Sequence, residues 1–184
     1  MMLPEKIETE RLILERPVPA FALAEEVHRA VMVSIENLHR WLPWARFDYS
    51  AEEEFTYIYH VHQKWQEKTG FAYFMRDKGT QAFLGIVDLV KMDEKNKIGE
   101  IGYWLSDAAV GKGYMTEAVK ALEVQSFAAG LHRMIIRNDT LNLRSANVAA
   151  RAGYHLDGIM REDRWDEVMQ KFSSSNIWSK IIGE

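Results

Sequence analysis

With 184 residues, 47% hydrophobic and 27% charged, the chain is long enough to bury a core and reads as one globular domain spanning residues 1–184. Its 27 acidic against 23 basic residues leave a formal net charge of −4, which argues against direct nucleic-acid binding or an anionic membrane surface while leaving room for a local basic pocket. There is no cysteine, so disulfides and a covalent cysteine relay are excluded, no apolar run approaches the ~20 residues of a transmembrane helix, and Met1–Lys6 lacks a signal peptide's apolar region, so the expected location is the cytoplasm.

In chain order, Arg11–Arg16 reads as a first strand ending at Pro17. Pro19 suits the first turn of a helix running to about Val33, with Phe21, Leu23, Ala24, Val27 and Val31 at helical spacing. Asn37–Trp44 is aromatic-rich and broken by proline. Ser50-Ala51-Glu52-Glu53 has capping-box spacing and opens a helix with Phe55, Ile58, Tyr59, His62 and Trp65 on one face, stopping at Gly70. Strand patterns follow at Phe71–Met75 and Ala82–Val90 around the turn signal Asp77-Lys78-Gly79, and again at Ile98–Leu105 after the polar turn Asp93–Lys97. A helix over Thr116–Ala129 with Gly130 at C′, a short buried strand Met134–Arg137 and a helix from Asn142 to Gly153 complete this part. Tyr154–Ile182 reads as one or two strands with a polar stretch at Ser173–Ser175. Strands and helices mix without strict alternation, so the fold class is α+β or mixed α/β.

The most informative stretch is Val110–Ala118, which contains Gly111-Lys112-Gly113 between the strand Ile98–Leu105 and the helix that follows. Glycines let a backbone approach a ligand closely. The N–H groups at a helix start lack helical partners, and the helix dipole adds partial positive charge there. A phosphate or pyrophosphate suits such a place; a plain helix start with flexible glycines has the same local pattern. The P-loop spacing GxxxxGK[ST] is absent. No metal site is expected: His60 and His62 lie two apart on a helix and point in different directions, and no other histidine has ligands at suitable spacing.

Three pieces in register, Glu100–Leu105, Gly111–Tyr114 with Thr116-Glu117-Ala118, and Asn142–Ser145 with Val148 and Gly153-Tyr154, resemble the acetyl-CoA-binding core of the GCN5-related N-acetyltransferase (GNAT) superfamily, in its RimJ/RimL-like branch. Glu8–Leu14 is similar to that branch's opening strand and Trp41-Leu42-Pro43-Trp44 to its substrate side. The resemblance implies a mostly antiparallel twisted sheet, flanked by helices and splayed between its fourth and fifth strands, here Ile98–Leu105 and Met134–Arg137. It implies that pantetheine lies between them against Gly102, Tyr103, Trp104 and Leu105, and that pyrophosphate sits on the N–H groups of Gly111, Lys112, Gly113, Tyr114, Met115 and Thr116. Asn142, Arg144 and Ser145 join the cofactor-binding set, with Lys112 and Arg144 offsetting phosphate charge unless they are solvated surface residues. Ser145 becomes the candidate hydrogen-bond donor to the leaving sulfur and Glu100 the candidate base, directly or through water. The competing roles are helix-start support for Ser145, an N-cap for Asn142 and an ordinary polar residue at a strand start for Glu100. Asn37, Trp41 and Trp44 are the substrate-side candidates.

The chain departs from the superfamily at Val110 and Met115, where a loop-ordering side chain and a small residue are usual, and at Ala149, where many relatives place a tyrosine acid. The resemblance implies acetyl transfer from acetyl-CoA to a primary amine, foremost the N-terminal α-amine of a ribosomal protein; a small-molecule amine acceptor and a non-catalytic acyl-CoA-binding module are the alternatives. It also implies a homodimer or higher homo-oligomer.

Overall fold

The computed structural model describes residues Met1–Glu184 as an eight-stranded sheet with helices on both faces. In chain order the elements are β1 (Lys6–Glu8), β2 (Leu12–Glu15), α1 (Phe21–Val33), α2 (Ile35–His39), α3 (Ala51–Glu67), β3 (Phe71–Asp77), β4 (Phe83–Asp93), β5 (Ile98–Leu105), α4 (Tyr114–Ala128), β6 (Arg133–Asp139), α5 (Leu143–Ala152), β7 (His155–Asp166) and β8 (Lys171–Ile181). The strand order is β1-β2-β3-β4-β5-β6-β8-β7, antiparallel throughout except for the parallel pair β5/β6. This is the mixed, mostly antiparallel architecture expected from the sequence.

The opening segment differs from its expected single strand. Thr9 closes a turn by donating its N–H to Leu12 O and accepting Leu12 N–H on Oγ1, so two short strands form, and the strands expected as fourth and fifth become β5 and β6. Parallel pairing between them stops at Ile101 opposite Ile136. Beyond that point Gly102–Leu105 and Arg137–Asp139 diverge, which opens the sheet in its middle. On the other edge of β6 the ladder with β8 is unbroken, from Arg133 opposite Ile181 to Asp139 opposite Ser175.

Two apolar clusters hold the layers together. On one face α4 and α5 bury Met115, Ala118, Val119, Leu122, Val148 and Ala149 over Leu12, Leu14, Met75, Val87, Leu89 and Ile101. On the other, α1 and α3 cover Phe74, Phe83, Ile86 and Trp104 with Val27, Val31, Ile58 and Val61. In α1 the stripe Ala24, Val27, Val31 is buried as its spacing predicts, whereas Phe21, in the first turn, stays 47% exposed. In α3 the buried stripe is Glu54, Ile58, Val61 and Trp65, rotated from the predicted face so that Tyr59 is exposed. Trp65 fixes that rotation by donating Nε1–H to Ala72 O at 2.8 Å, beside Phe71 and Tyr73.

The Ser50 capping box is formed, with Ser50 Oγ accepting from Glu53 N–H and the Glu53 carboxylate accepting from Ser50 N–H. Lys68 in the left-handed region, rather than Gly70, stops this helix. Tyr154–Ile182 forms two long strands, and the serine stretch lies inside β8, where Ser173 and Ser175 are buried.

Candidate active site

The split between β5 and β6 opens into a cleft of about 900 Å³. One end is walled by the phosphate-loop residues 110–116, the middle by Glu100–Leu105 and the first turns of α5, and the far end by α2 with its following turn and by Arg137–Asp139, Arg164 and Ser175. All the cofactor-side residues singled out in the sequence line this one cleft: Gly102, Tyr103, Trp104, Leu105, Gly111, Lys112, Gly113, Tyr114, Met115, Thr116, Asn142, Arg144 and Ser145. Glu100, Asn37 and Trp41 line it as well. Trp44 does not; it packs edge-on behind Trp104, 6.0 Å between ring centroids, and against Tyr49.

The loop has the backbone an anion needs. Gly111 (φ 82°) and Gly113 (φ 79°) are both left-handed, a conformation that costs a non-glycine residue, and Gly113 is the N-cap of α4. No side chain caps that helix, whereas Ser50 and Asn142 cap α3 and α5. The N–H groups of residues 111–116 find no acceptor in the chain, and Thr116 Oγ1 is buried without a partner. Free donors, a helix N-terminus and no side chain in the way fit a diphosphate. Met115 does not crowd this surface, because its side chain is 4% exposed and packed into the core beneath. Lys112 folds back, donating Nζ to Ala108 O at 2.9 Å, which keeps its exposed charge beside the loop.

A brace that sequence reading missed holds the loop in place. The Glu117 carboxylate accepts from Thr9 Oγ1 at 2.5 Å, Arg11 N–H at 3.0 Å and Arg11 Nε at 2.7 Å. Arg11 also donates to Lys112 O at 2.8 Å and lies over the Tyr114 ring, 4.8 Å from its centroid. Burial pulls Glu117 upward, but the Thr9 and Arg11 donors outweigh it and hold the carboxyl below its ordinary range. Tyr114 Oη donates to Asp77 at 2.9 Å, tying the loop to β3. The turn between β1 and β2 is therefore shaped by a residue more than 100 positions away. Local patterns carry no signal for that; the family likeness of Glu8–Leu14 was the one hint.

On α5, Asn142 Oδ1 accepts from Ser145 N–H at 3.1 Å, so Asn142 is an N-cap and also lines the cleft. Ser145 Oγ lies 2.9 Å and Ser145 O 3.1 Å from Tyr103 Oη, whose one proton has either oxygen as an acceptor. Burial pushes the Tyr103 phenol up to about 12, slightly offset by Ser145, so it stays protonated at neutral pH. Ala149, on the same helix, is fully buried and offers the cleft no polar group.

At the acceptor end, Asn37 is held by Asp107, its Nδ2 donating at 2.7 Å, while the buried Ser34 hydroxyl accepts from Asp107 N–H at 3.0 Å. The opposite wall comes from β6 and, unmarked in the sequence, from Arg164 of β7 and Ser175 of β8. There Arg164 pairs with the nearly buried Asp139, and Arg40, stacked on Trp41 at 4.4 Å, reaches across to Asp166 at 2.9 Å. Three carboxylates line the cleft, and Asp107 and Asp139 are engaged there by Asn37 and Arg164. Glu100 instead faces the exposed Lys91 at 3.5 Å.

A glycine-rich anion loop at a helix start, beside a strand edge opened within the sheet, defines an acyltransferase that takes its acyl group from a coenzyme A thioester. The profile of the Acetyltransferase (GNAT) domain matches residues 11–155, so the chain belongs to the GNAT family and is an acetyl-CoA-dependent N-acetyltransferase. It is similar to the ribosomal-protein-serine acetyltransferase of Escherichia coli strain K12, 27% identical over 187 residues that cover 95% of this chain and 98% of that protein. Among solved structures it matches the microcin C7 self immunity acetyltransferase MccE in complex with acetyl-CoA and AMP at a TM-score of 0.86, with 25% identity over 95% of this chain and 94% of that one. The fold is also that of RimL, the ribosomal L7/L12 α-N-protein acetyltransferase in complex with coenzyme A, at a TM-score of 0.85 and 22% identity, covering 99% of this chain and 98% of that one.

Proposed function

We propose that residues 1–184 act as one N-acetyltransferase domain, in the cytoplasm, that acetylates the N-terminal α-amine of a ribosomal protein. The observation that carries this reading is that the cleft holds no strong base: of its three carboxylates, Asp107 and Asp139 are engaged by Asn37 and Arg164, and Glu100 pairs with Lys91 at 3.5 Å. An α-amine with a reference pKa of 7.7–8.0 is roughly a fifth to a third neutral at pH 7.4, whereas a lysine near 10.4 is only about a thousandth neutral. A weak base, acting directly or through water, therefore suffices for the first, while the second needs stronger help, which favours an α-amine acceptor. The names of the similar proteins point the same way.

Acetyl-CoA supplies an acetyl thioester, whose C–S bond breaks with its electron pair going to sulfur as the amine nitrogen bonds the acetyl carbon. Residues 111–116 hold the diphosphate by main-chain N–H, with Lys112 and Arg144 offsetting its charge. The open edge Gly102–Leu105 pairs with the extended pantetheine as an added strand would. Backbone N–H groups at Gly102–Trp104 stabilise charge on the carbonyl oxygen. Glu100 takes the amine's surplus proton, and Ser145 donates a hydrogen bond to the leaving sulfur. Asn37 and Trp41 border the acceptor, and Trp44 backs Trp104 rather than touching it.

Thiol release measured side by side on N-terminal peptides of ribosomal proteins, lysine side-chain peptides and free small amines tests the reading. Preference for the α-amino peptides is expected; turnover confined to small amines overturns it. That second reading, a small-molecule acceptor, has support in the likeness to MccE and in the Trp41 ring, a flat surface at the acceptor end. For the expected homodimer, the candidate surface is the exposed pair Trp165 and Phe172 on the β7–β8 hairpin, 5.3 Å between centroids, which light scattering of Trp165→Ser examines.

A further inference from the structure

The Tyr103–Ser145 contact carries more than helix support. Tyr103 lies two residues past the last β5–β6 pair, in the splayed part of β5, on the same face as Ile101 and Leu105. From there its hydroxyl reaches the first turn of α5 and meets two acceptors on one residue, Ser145 Oγ at 2.9 Å and Ser145 O at 3.1 Å. The Ser145 N–H is already taken by Asn142 Oδ1, so both polar ends of the serine are held from outside it. Ser145 has one hydroxyl proton. If that proton points to Tyr103, none is left for a ligand. If Tyr103 donates to Ser145 Oγ, the serine's own proton is free to turn into the cleft that both residues line.

We propose that Tyr103 is the positioning residue for the leaving group: its phenol donates to Ser145 Oγ and directs the serine proton at the sulfur of bound coenzyme A. The proposal rests on the reading of Ser145 as the sulfur's partner and adds to it a second hydroxyl from a different element. The buried phenol keeps its proton throughout the working pH range, so it has a proton to donate at every pH of the assay. A hydrogen bond offered to the thiolate favours the charged form and lowers the pKa of the thiol that carries it. The other charged groups lining the cleft are Glu100 on β5, Asp107 and Lys112 in the loop after it, Arg137 and Asp139 on β6, Arg144 and Arg151 on α5, and Arg164 on β7. They stay in place when only hydroxyls are removed, so their field on the sulfur is common to every variant.

The protein has no cysteine, so coenzyme A is the only thiol in a mixture of the two. Thiolate absorbance of bound coenzyme A, titrated with pH, therefore reads the sulfur's environment directly and without turnover or any acceptor amine. In the wild type the bound thiol should titrate below the ~8.5 of a free thiol. In Tyr103→Phe and in Ser145→Ala it should move up by about one unit, a tenfold change in proton affinity, and the double variant should go no further than Ser145→Ala alone. Acetyl transfer should fall about tenfold or more in kcat in each single variant, with KM for acetyl-CoA unchanged. A shift in Ser145→Ala without one in Tyr103→Phe makes the phenol a brace on Ser145 O and overturns the proposal while sparing the serine's role. No shift in either removes the serine reading itself. Loss of coenzyme A binding in Tyr103→Phe, which keeps the ring, would make the hydroxyl structural and overturns the proposal as well.

Discussion

Replacing Glu54 by Gln should make stability at alkaline pH better, not worse. Glu54 sits on the inward stripe of α3, 2% exposed, with Oε2 accepting from Tyr49 Oη at 3.1 Å and Oε1 buried without a partner. Burial pushes its carboxyl up to about 7 from an ordinary 4.5, the Tyr49 hydrogen bond opposing weakly. Between those values the folded protein holds a proton that the unfolded chain has released, so stability is fully present below about pH 4.5 and is lost as pH rises through about 7. At 1.36 kcal/mol per unit, that rise amounts to about 3 kcal/mol. Glutamine cannot ionise and escapes the loss, although its amide meets no acceptor at the Oε1 position and costs about 1–3 kcal/mol at every pH. Denaturant unfolding of both proteins at pH 4.5 and 8.5 reads the difference, and titrations common to both cancel. Relative to wild type, Glu54→Gln should gain about 3 kcal/mol across that interval, or roughly 6–12 °C in Tm for a chain of this size. A gap that stays constant with pH would mean that Glu54 is ionised in the fold, and the argument from burial would fail. The Glu54–Tyr49 contact also ends the acceptor-side segment, since Tyr49 packs on Trp44 and Trp44 on Trp104.

Gly113→Asp places a carboxylate where the diphosphate belongs and a side chain at φ 79°, so coenzyme A affinity by calorimetry should fall by about 100-fold or more, from repulsion and left-handed strain together. Arg11→Ala removes the donors to Glu117 and Lys112 O, and the loosened loop should bind coenzyme A about 5–30-fold more weakly while Tm changes little, because the guanidinium is near the surface. Asn142→Ala uncaps α5 and should cost about 1 kcal/mol in urea unfolding; the Ser145→Ala variant, which leaves the cap carbonyl and the Ser145 N–H in place, should not.

Much of the cofactor half was legible because its chemistry is local in sequence. The strand Ile98–Leu105, the two left-handed glycines and the helix behind them follow one another between Ile98 and Ala128, and a diphosphate would contact main chain there, so side-chain changes at Val110 and Met115 left the pattern readable. The capping residues Ser50 and Asn142 were readable for the same reason. What escaped was set by distant partners. The β1–β2 turn answers to Glu117, the rotation of α3 to Ala72 O, and the far wall of the cleft to Arg164 and Ser175, from strands whose sequence showed only polarity. Trp44 was placed on the substrate side by the family likeness of Trp41-Leu42-Pro43-Trp44; its ring instead supports Trp104, a neighbour that does line the cleft.

The parting of β5 from β6 after Ile101 leaves this protein with unsatisfied main chain along the middle of its sheet. A ligand that occupies the gap and ignores the unfolded chain raises the unfolding free energy by mass action, by about 2.7 kcal/mol when it is present at a hundred times its dissociation constant. Endurance against heat and proteases is thus tied to the surrounding concentration of the acetyl donor. The temperature of thermal unfolding should accordingly rise with added acetyl-CoA, and a Tm indifferent to it would contradict the link.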